Sequence, residues 1–187
     1  MTLRPAIVSA LALGSVLTAA LVPRFSLEDL VDRSEAVIEA KVVRSWCSWS
    51  ASHKYIWTNY EIRVSDSLLG PAARTMVVSE PGGSLDGRNM QVSGAVSYAA
   101  GEHVVLFLHR TPGGYWRTSG GGQGKFTVQA SGRLTPATGG IELVAPPAGL
   151  TQRGATPLAS LQNLNLSQFK ARVRRALSSR QAGGTER

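Results

Sequence analysis

The chain has a single cysteine, Cys47, among 187 residues, so no disulfide can form within it. Cys47 lies in RSWCSWSASH, residues 44–53, between two of the four tryptophans. A catalytic thiol needs a cationic neighbour that lowers its pKa and a third group that orients the base. The only histidine nearby in sequence is His53, across a serine-rich turn. Two other readings stand beside catalysis: a small side chain at a strand end, or an intermolecular disulfide in an oxidising compartment. Histidine is scarce as well, with three in the chain. His103 and His109 share a strand face six residues apart, about 20 Å at ~3.3 Å per residue. Ligands of one zinc sit ~2 Å from the metal, so these two cannot share an ion. His53 has no second ligand at metal spacing, and no metal or cofactor is expected.

Other catalytic signatures are missing. No GxSxG nucleophile elbow occurs. The run SGGGQGKFT places Gly124 and Lys125 after glycines, but a phosphate-binding loop needs Gly at 119 and Ser or Thr at 126. Those positions hold Ser119 and Phe126, so the run reads as a flexible turn into a strand whose Phe126 and Val128 point inward. Glu61, Asp66, Glu80, Asp86 and Glu102 are scattered, and their spacing nominates no acid and base pair.

Apolar runs are short too. The longest, Ala6 to Leu17, follows Arg4 and precedes Thr18, Ala19 and Ala20. A spanning helix needs ~20 mostly apolar residues, whereas Ser9, Gly14 and Ser15 interrupt this stretch. Residues 1–20 are therefore expected to be a signal peptide cleaved near Ala20 or Leu21, which implies export to the periplasm or beyond the cell. The net charge is +8, yet it is unevenly spread. Residues 21–152 carry twelve Lys or Arg against eleven Asp or Glu. Residues 153–187 carry Arg153, Lys170, Arg172, Arg174, Arg175, Arg180 and Arg187 against Glu186 alone. A basic groove across the body, as a nucleic-acid binder would use, is not expected.

Periodicity supplies the fold class. Ser26 followed by Asp29 marks a helix start with an acidic first turn, predicting a short helix to about Asp32. From Ala36 the period becomes two, with Ile38, Ala40 and Val42 facing one way and Glu39 and Lys41 the other. Residues 55–70 alternate again: Ile56, Thr58, Tyr60, Ile62 and Val64 read as core, and Trp57, Asn59, Glu61 and Arg63 as solvent face. TMVVSEPGG, GEHVVLFLHR, YWRTS, GKFTVQA and RLTPA add further strands, with residues 86–98 a weaker strand or loop. Several short antiparallel strands with turn signals about every ~10 residues predict a small barrel. After the irregular APPAGLTQRGATP, LNLSQFKARVRRALSSR predicts a helix capped by Ser167, with Phe169, Val173, Ala176 and Leu177 on one face and Lys170, Arg172, Arg174 and Arg175 off it. The expected organisation is a barrel domain over 21–150, then a linker and basic amphipathic helix over 151–187.

The run SEAVIEAKVV, the strand ending in LLG, VSEPGG, YAAGEHVVLFL and GQGKFTV together resemble a group of secreted bacterial domains of uncharacterised function, similar to netrin-like and metalloproteinase-inhibitor domains. The match covers roughly residues 34–130 and is strongest at Gly70 and Gly101–Leu108. It implies an all-β fold: an OB-like five-stranded antiparallel barrel with a short N-terminal helix and a C-terminal helix. Such inhibitors chelate zinc through a cysteine at the mature N-terminus. Here no cysteine precedes position 47, so that mechanism does not carry over.

The functional expectation is non-catalytic binding of another exported protein or envelope component through an aromatic strand face. Tyr55 and Trp57 project from the second strand near Trp46 or Trp49 of the first, where OB-type barrels commonly dock ligands. In the alternative packing, Trp57 lies under the C-terminal helix. That helix itself either docks on the barrel with Arg172, Arg174 and Arg175 solvated, or lies on an anionic membrane surface. An exported hydrolase with a site assembled from distant strands is the competing reading.

Overall fold

Two fourteen-residue strands organise the molecule. They are β2 (Ala36–Trp49) and β3 (Ile56–Leu69), a long antiparallel hairpin whose alternating apolar residues turn one face inward. The computed structural model describes residues 22–137, 143–144, 155–162 and 164–183. The signal peptide expected over residues 1–20 lies outside them, as do residues 151–154 of the expected linker.

The remaining strands are β1 (Val22–Pro23), β4 (Thr75–Pro81), β5 (Gly83–Leu85), β6 (Arg88–Met90), β7 (His103–Arg110), β8 (Trp116–Thr118), β9 (Lys125–Val128), β10 (Leu134–Pro136) and β11 (Leu143–Val144). The helices are α1 (Leu27–Asp32) and α2 (Leu166–Gly183), with 3-10 turns at Gly121–Gly124 and Leu158–Leu161. The fold is mainly β with a helix toward each end, as the periodicity predicts, but it is not a plain five-stranded antiparallel barrel. Seven strands form one mixed sheet in the order β10-β9-β7-β2-β3-β4-β8, and β8 also pairs with β7. The pairings β2–β3–β4–β8–β7 therefore return to β2, with a single parallel step where Val78 meets Trp116.

The extra strands have a local cause. The chain returning from β7 is interrupted at residues 119–124, so β8 takes the Leu108–Arg110 end of the β7 edge and β9 takes Val104–Leu106. This interruption is the glycine run, and it is a buried, tightly folded turn rather than a flexible one. Gly120 has φ +67°, and a Cβ at Gly124 would stand 2.1 Å from the Ser119 carbonyl oxygen. Only glycine fits a left-handed backbone and so close an approach without strain. Between the two glycines Gln123 is buried; its Oε1 accepts from the Phe25 amide at 2.8 Å, and its Nε2 donates to the Pro23 carbonyl at 2.9 Å. The turn thus pins the segment entering α1.

The sheet has an apolar cluster on each face. Inside lie Ile38, Ala40, Val42, Tyr60, Ile62, Met76, Val78, Val104, Leu106 and Leu108, closed by Val96 and Tyr98 from the irregular segment after β6. Outside, Val37, Val105, Phe107 and Phe126 pack against Leu27, Leu30 and Val31 of α1 and Phe169, Val173, Ala176 and Leu177 of α2. The rings of Phe107, Phe126 and Phe169 meet with centroids 4.7 to 6.5 Å apart. The helical stripe therefore faces the sheet.

Both helix starts are capped. Ser26 and Asp29 form the reciprocal capping box that the sequence predicts. On α2 the cap is Asn165, not Ser167: Asn165 Oδ1 accepts from the Gln168 amide at 2.9 Å and Gln168 Oε1 from the Asn165 amide at 3.2 Å. Asn165 is placed there by its bridge to Arg133, which sets the first turn before Ser167 is reached.

Candidate functional site

A β-bulge decides which aromatic residues reach the outside. Val42 faces Ile62 and Arg44 faces Glu61, so Val43 is an extra residue in β2. An unbroken alternation from Ile38 would carry Trp46 inward with Ala40 and Val42. One inserted residue exchanges the two faces beyond it. Cys47 and Trp49 consequently stand opposite the inward-facing Thr58 and Ile56, while Trp46 and Ser48 share the outer face with Asn59 and Trp57.

Of the four expected aromatic residues, Tyr55, Trp46 and Trp57 belong to that outer surface, with Tyr55 57% and Trp46 39% exposed. Trp57 is half-buried, but α2 is not what covers it. Its ring stacks on Tyr115 at 5.3 Å and lies 5.8 Å from the Arg117 guanidinium. Arg44 lies over Trp46 at 5.2 Å. Trp49 departs from the expectation, because the bulge turns it to the opposite face. There it donates to Asp86 at 2.8 Å and stacks on His53, while Arg88 lies over it. Asp86 and Gly87 both have positive φ, as a two-residue β5–β6 hairpin loop requires. Trp49 is thus tied to the tip of that hairpin.

Tyr115 and Arg117 belong to the expected strand YWRTS, but nothing in the sequence places that strand beside Trp57. The β4–β8 pairing, next to β3 in the sheet, brings them beside Trp57.

A cleft of about 440 Å³ lies between β3, the end of β4 and the segment after β6. Thr58, Tyr60 and Glu80 line it, with residues 81–83, 90–93 and 95–97. Glu80 is 2% exposed. Its Oε1 accepts from the Thr118 amide at 2.9 Å and hydroxyl at 2.7 Å, and Arg117 Nη2 approaches Oε2 at 3.5 Å. Burial pushes this carboxyl above its ordinary range, against the opposing pull of Thr118 and Arg117. The Tyr98 hydroxyl bonds Thr118, and burial together with the Glu80 charge pushes it well above the usual phenol range. A signal for Glu80 did exist: it keeps the inward phase of Met76 and Val78. Lys125 Nζ, 4.7 Å from the Tyr98 ring centroid, donates to Glu102 at 2.9 Å and to the Ser97 carbonyl at 2.7 Å, fastening the segment that closes the inner core.

The basic helix residues divide into two groups. Lys170 is not solvated: it bridges Glu39 and Asp66, two carboxylates directly opposite each other on β2 and β3, and lies 2.9 Å from Asp66. Burial pushes the Glu39 carboxyl up, but bonds from Lys170 and His103 outweigh it and hold it below its ordinary value. The Lys170 bond holds Asp66 low as well, against a smaller push from burial. Arg174 approaches Asp66 at 3.5 Å from an exposed position, and Arg172 and Arg175 are exposed. Arg180 donates to the Val31 and Ser34 carbonyls at the end of α1.

Cys47 Sγ lies 3.7 Å from Thr58 Oγ1 and is half-buried. The three histidines are dispersed: His53 on Trp49, His103 bonded to Glu39 at 2.8 Å, and His109 beside Ser119 at 3.4 Å. Among the described residues, no group of three His, Cys, Asp or Glu is placed to hold a metal ion. No protein-family model matches this sequence, and no curated protein matches it.

Proposed function

We propose that the protein is an exported, non-catalytic binding domain that engages another exported protein or an envelope component through the outer face of β2 and β3. In this reading the ring of pairings β2–β3–β4–β8–β7 is an OB-type barrel of netrin-like organisation, with β9, β10 and the two helices added to one side. A barrel closed on itself leaves a strand face as its natural docking surface.

The observation that carries the reading is the composition of that face. Trp46, Tyr55, Trp57 and Tyr115 gather with Arg44 and Arg117, and the guanidinium groups lie over tryptophan rings. Trp, Tyr and Arg are the residue types in which binding energy concentrates at protein interfaces. The C-terminal helix plays a smaller part, because the sheet already covers its apolar stripe. An anionic membrane would meet only Arg172, Arg174 and Arg175.

Trp57→Ala tests the reading. With the mature protein immobilised against an envelope extract, the variant should lose the species that wild type retains, while melting within a few degrees of it. A melting temperature lowered by roughly 10 °C or more would instead make Trp57 a support of the fold. The competing hydrolase reading draws on the Glu80 cleft, and Glu80→Gln separates the two. Partner capture unaffected by this substitution supports the aromatic face; loss of a hydrolytic activity on an envelope substrate supports the cleft.

A further inference from the structure

The outer pairs of β2 and β3 follow one another in a fixed order. Glu39 stands opposite Asp66, Lys41 opposite Arg63, Arg44 opposite Glu61, Trp46 opposite Asn59 and Ser48 opposite Trp57. Like charges directly opposite on neighbouring strands destabilise a sheet, since their Cβ atoms are only about 5 Å apart. This surface has two such pairs in succession. The first is relieved by Lys170, which reaches down from α2 and contacts both carboxylates. The second has no such relief: Lys41 and Arg63 are both exposed, and neither side chain has an ion-pair or hydrogen-bond partner among the described residues. The neighbouring acids are engaged elsewhere, Glu39 by Lys170 and His103 and Glu61 by Arg44 at 2.7 Å.

We propose that Lys41 and Arg63 are an anchor for an acidic side chain of a partner protein, a carboxylate that spans the two cations as Lys170 spans Glu39 and Asp66. This rests on the reading of the outer face as a docking surface and supplies the chemistry of what docks. The pair lies between the row covered by α2 and the rows that carry Arg44, Trp46 and Trp57, so one partner covers aromatic and cationic groups together. A protein carboxylate suits this place better than a phosphate polymer does. Glu61 lies in the next row, and a continuous line of phosphates would have to pass over it. A single carboxylate meets only the Lys41–Arg63 row. The chain as a whole is basic, but residues 21–152 are nearly neutral, so it is the sheet register that concentrates cations here.

The test uses the full mature chain and a short Gly/Ser peptide carrying one glutamate as the acidic probe, with phosphatidylglycerol vesicles and a single-stranded oligonucleotide as parallel arms. Lys41→Glu and Arg63→Glu should each weaken binding of the glutamate peptide by about tenfold or more, with Arg172→Glu on α2 as an unaffected control. Each reversal also converts a repulsive cross-strand pair into an attractive one, so the unliganded melting temperature should hold or rise. Unchanged binding of the glutamate peptide would overturn the proposal. So would a fall in melting temperature, or Lys41-dependent binding that favours the vesicles or the oligonucleotide. The two readings fail separately. If Trp57→Ala leaves partner capture intact while Lys41→Glu abolishes it, the aromatic face is wrong and the carboxylate anchor stands; the reverse pattern removes the anchor alone.

Discussion

Lys170 is the one group that contacts both Glu39 and Asp66, beside His103 on the first and Arg174 on the second, and this makes it a sharp test of how α2 is held. Replacing it by Met leaves two facing carboxylates, one well buried and the other more than a third exposed. The expected loss is roughly 2 kcal/mol at neutral pH, less than the ~3–5 kcal/mol of a fully buried pair because solvent screens Asp66. The pH dependence has a definite sign. Both carboxyls are held below their ordinary values, so their contribution is complete above about pH 5 and is lost as pH falls through the lower folded values. Burial pulls the Lys170 ammonium down, but the two carboxylates outweigh it and raise its pKa. Its share is therefore present below the ordinary lysine value, and is lost as pH rises through the folded one. Urea denaturation of Lys170→Met against wild type should show a gap that is widest near neutrality and closes below about pH 4.

The bulge at Val43 shows how one position sets the behaviour of a whole strand. Deleting Val43 should remove the bulge and let Arg44 follow Val42 in register with Glu61, so that Trp46 stays outward and Cys47 inward. An unchanged rate of Cys47 reaction with a thiol reagent in the folded protein, together with retained partner capture, is the expected outcome. A faster Cys47 rate would mean that the outer half of β2 had slipped by one residue against β3. The same strand explains the separation of the tryptophans: Trp46 and Trp49 are three residues apart, and alternation places them on opposite faces. No reading of composition around RSWCSWSASH distinguishes them, because the bulge becomes visible only when β3 supplies a register.

Helix α2 belongs to the same folding unit as the sheet, since Phe169 shares its contacts with Phe107 and Phe126. Far-ultraviolet circular dichroism and tryptophan fluorescence should therefore report one coincident urea transition. A chain ending before Leu166 should lose that cooperativity, because it uncovers two phenylalanines that are fully buried in the intact protein. Two separate transitions in the intact chain would show that the helix is an appendage. Much of this architecture was legible beforehand. The Ser26 cap, the inward sets of β2 and β3 and the apolar stripe of α2 all follow from residues within a few positions of each other. Repeats of 2 and 3.6 residues express local backbone geometry, and that is why they can be read along the chain. Four features could not be: the glycine run as a buried clamp, the two-ended use of the β7 edge, the place of Tyr115 beside Trp57, and the stacking of like charges into rows. Each depends on which distant segment lies alongside, and sequence order carries no record of that alignment. The chain's own residues set where strands and helices form and which side of each is apolar. Long-range pairing, one inserted valine and the closing of the sheet onto β8 determined which side chains meet, because contact between remote segments is a property of the folded whole.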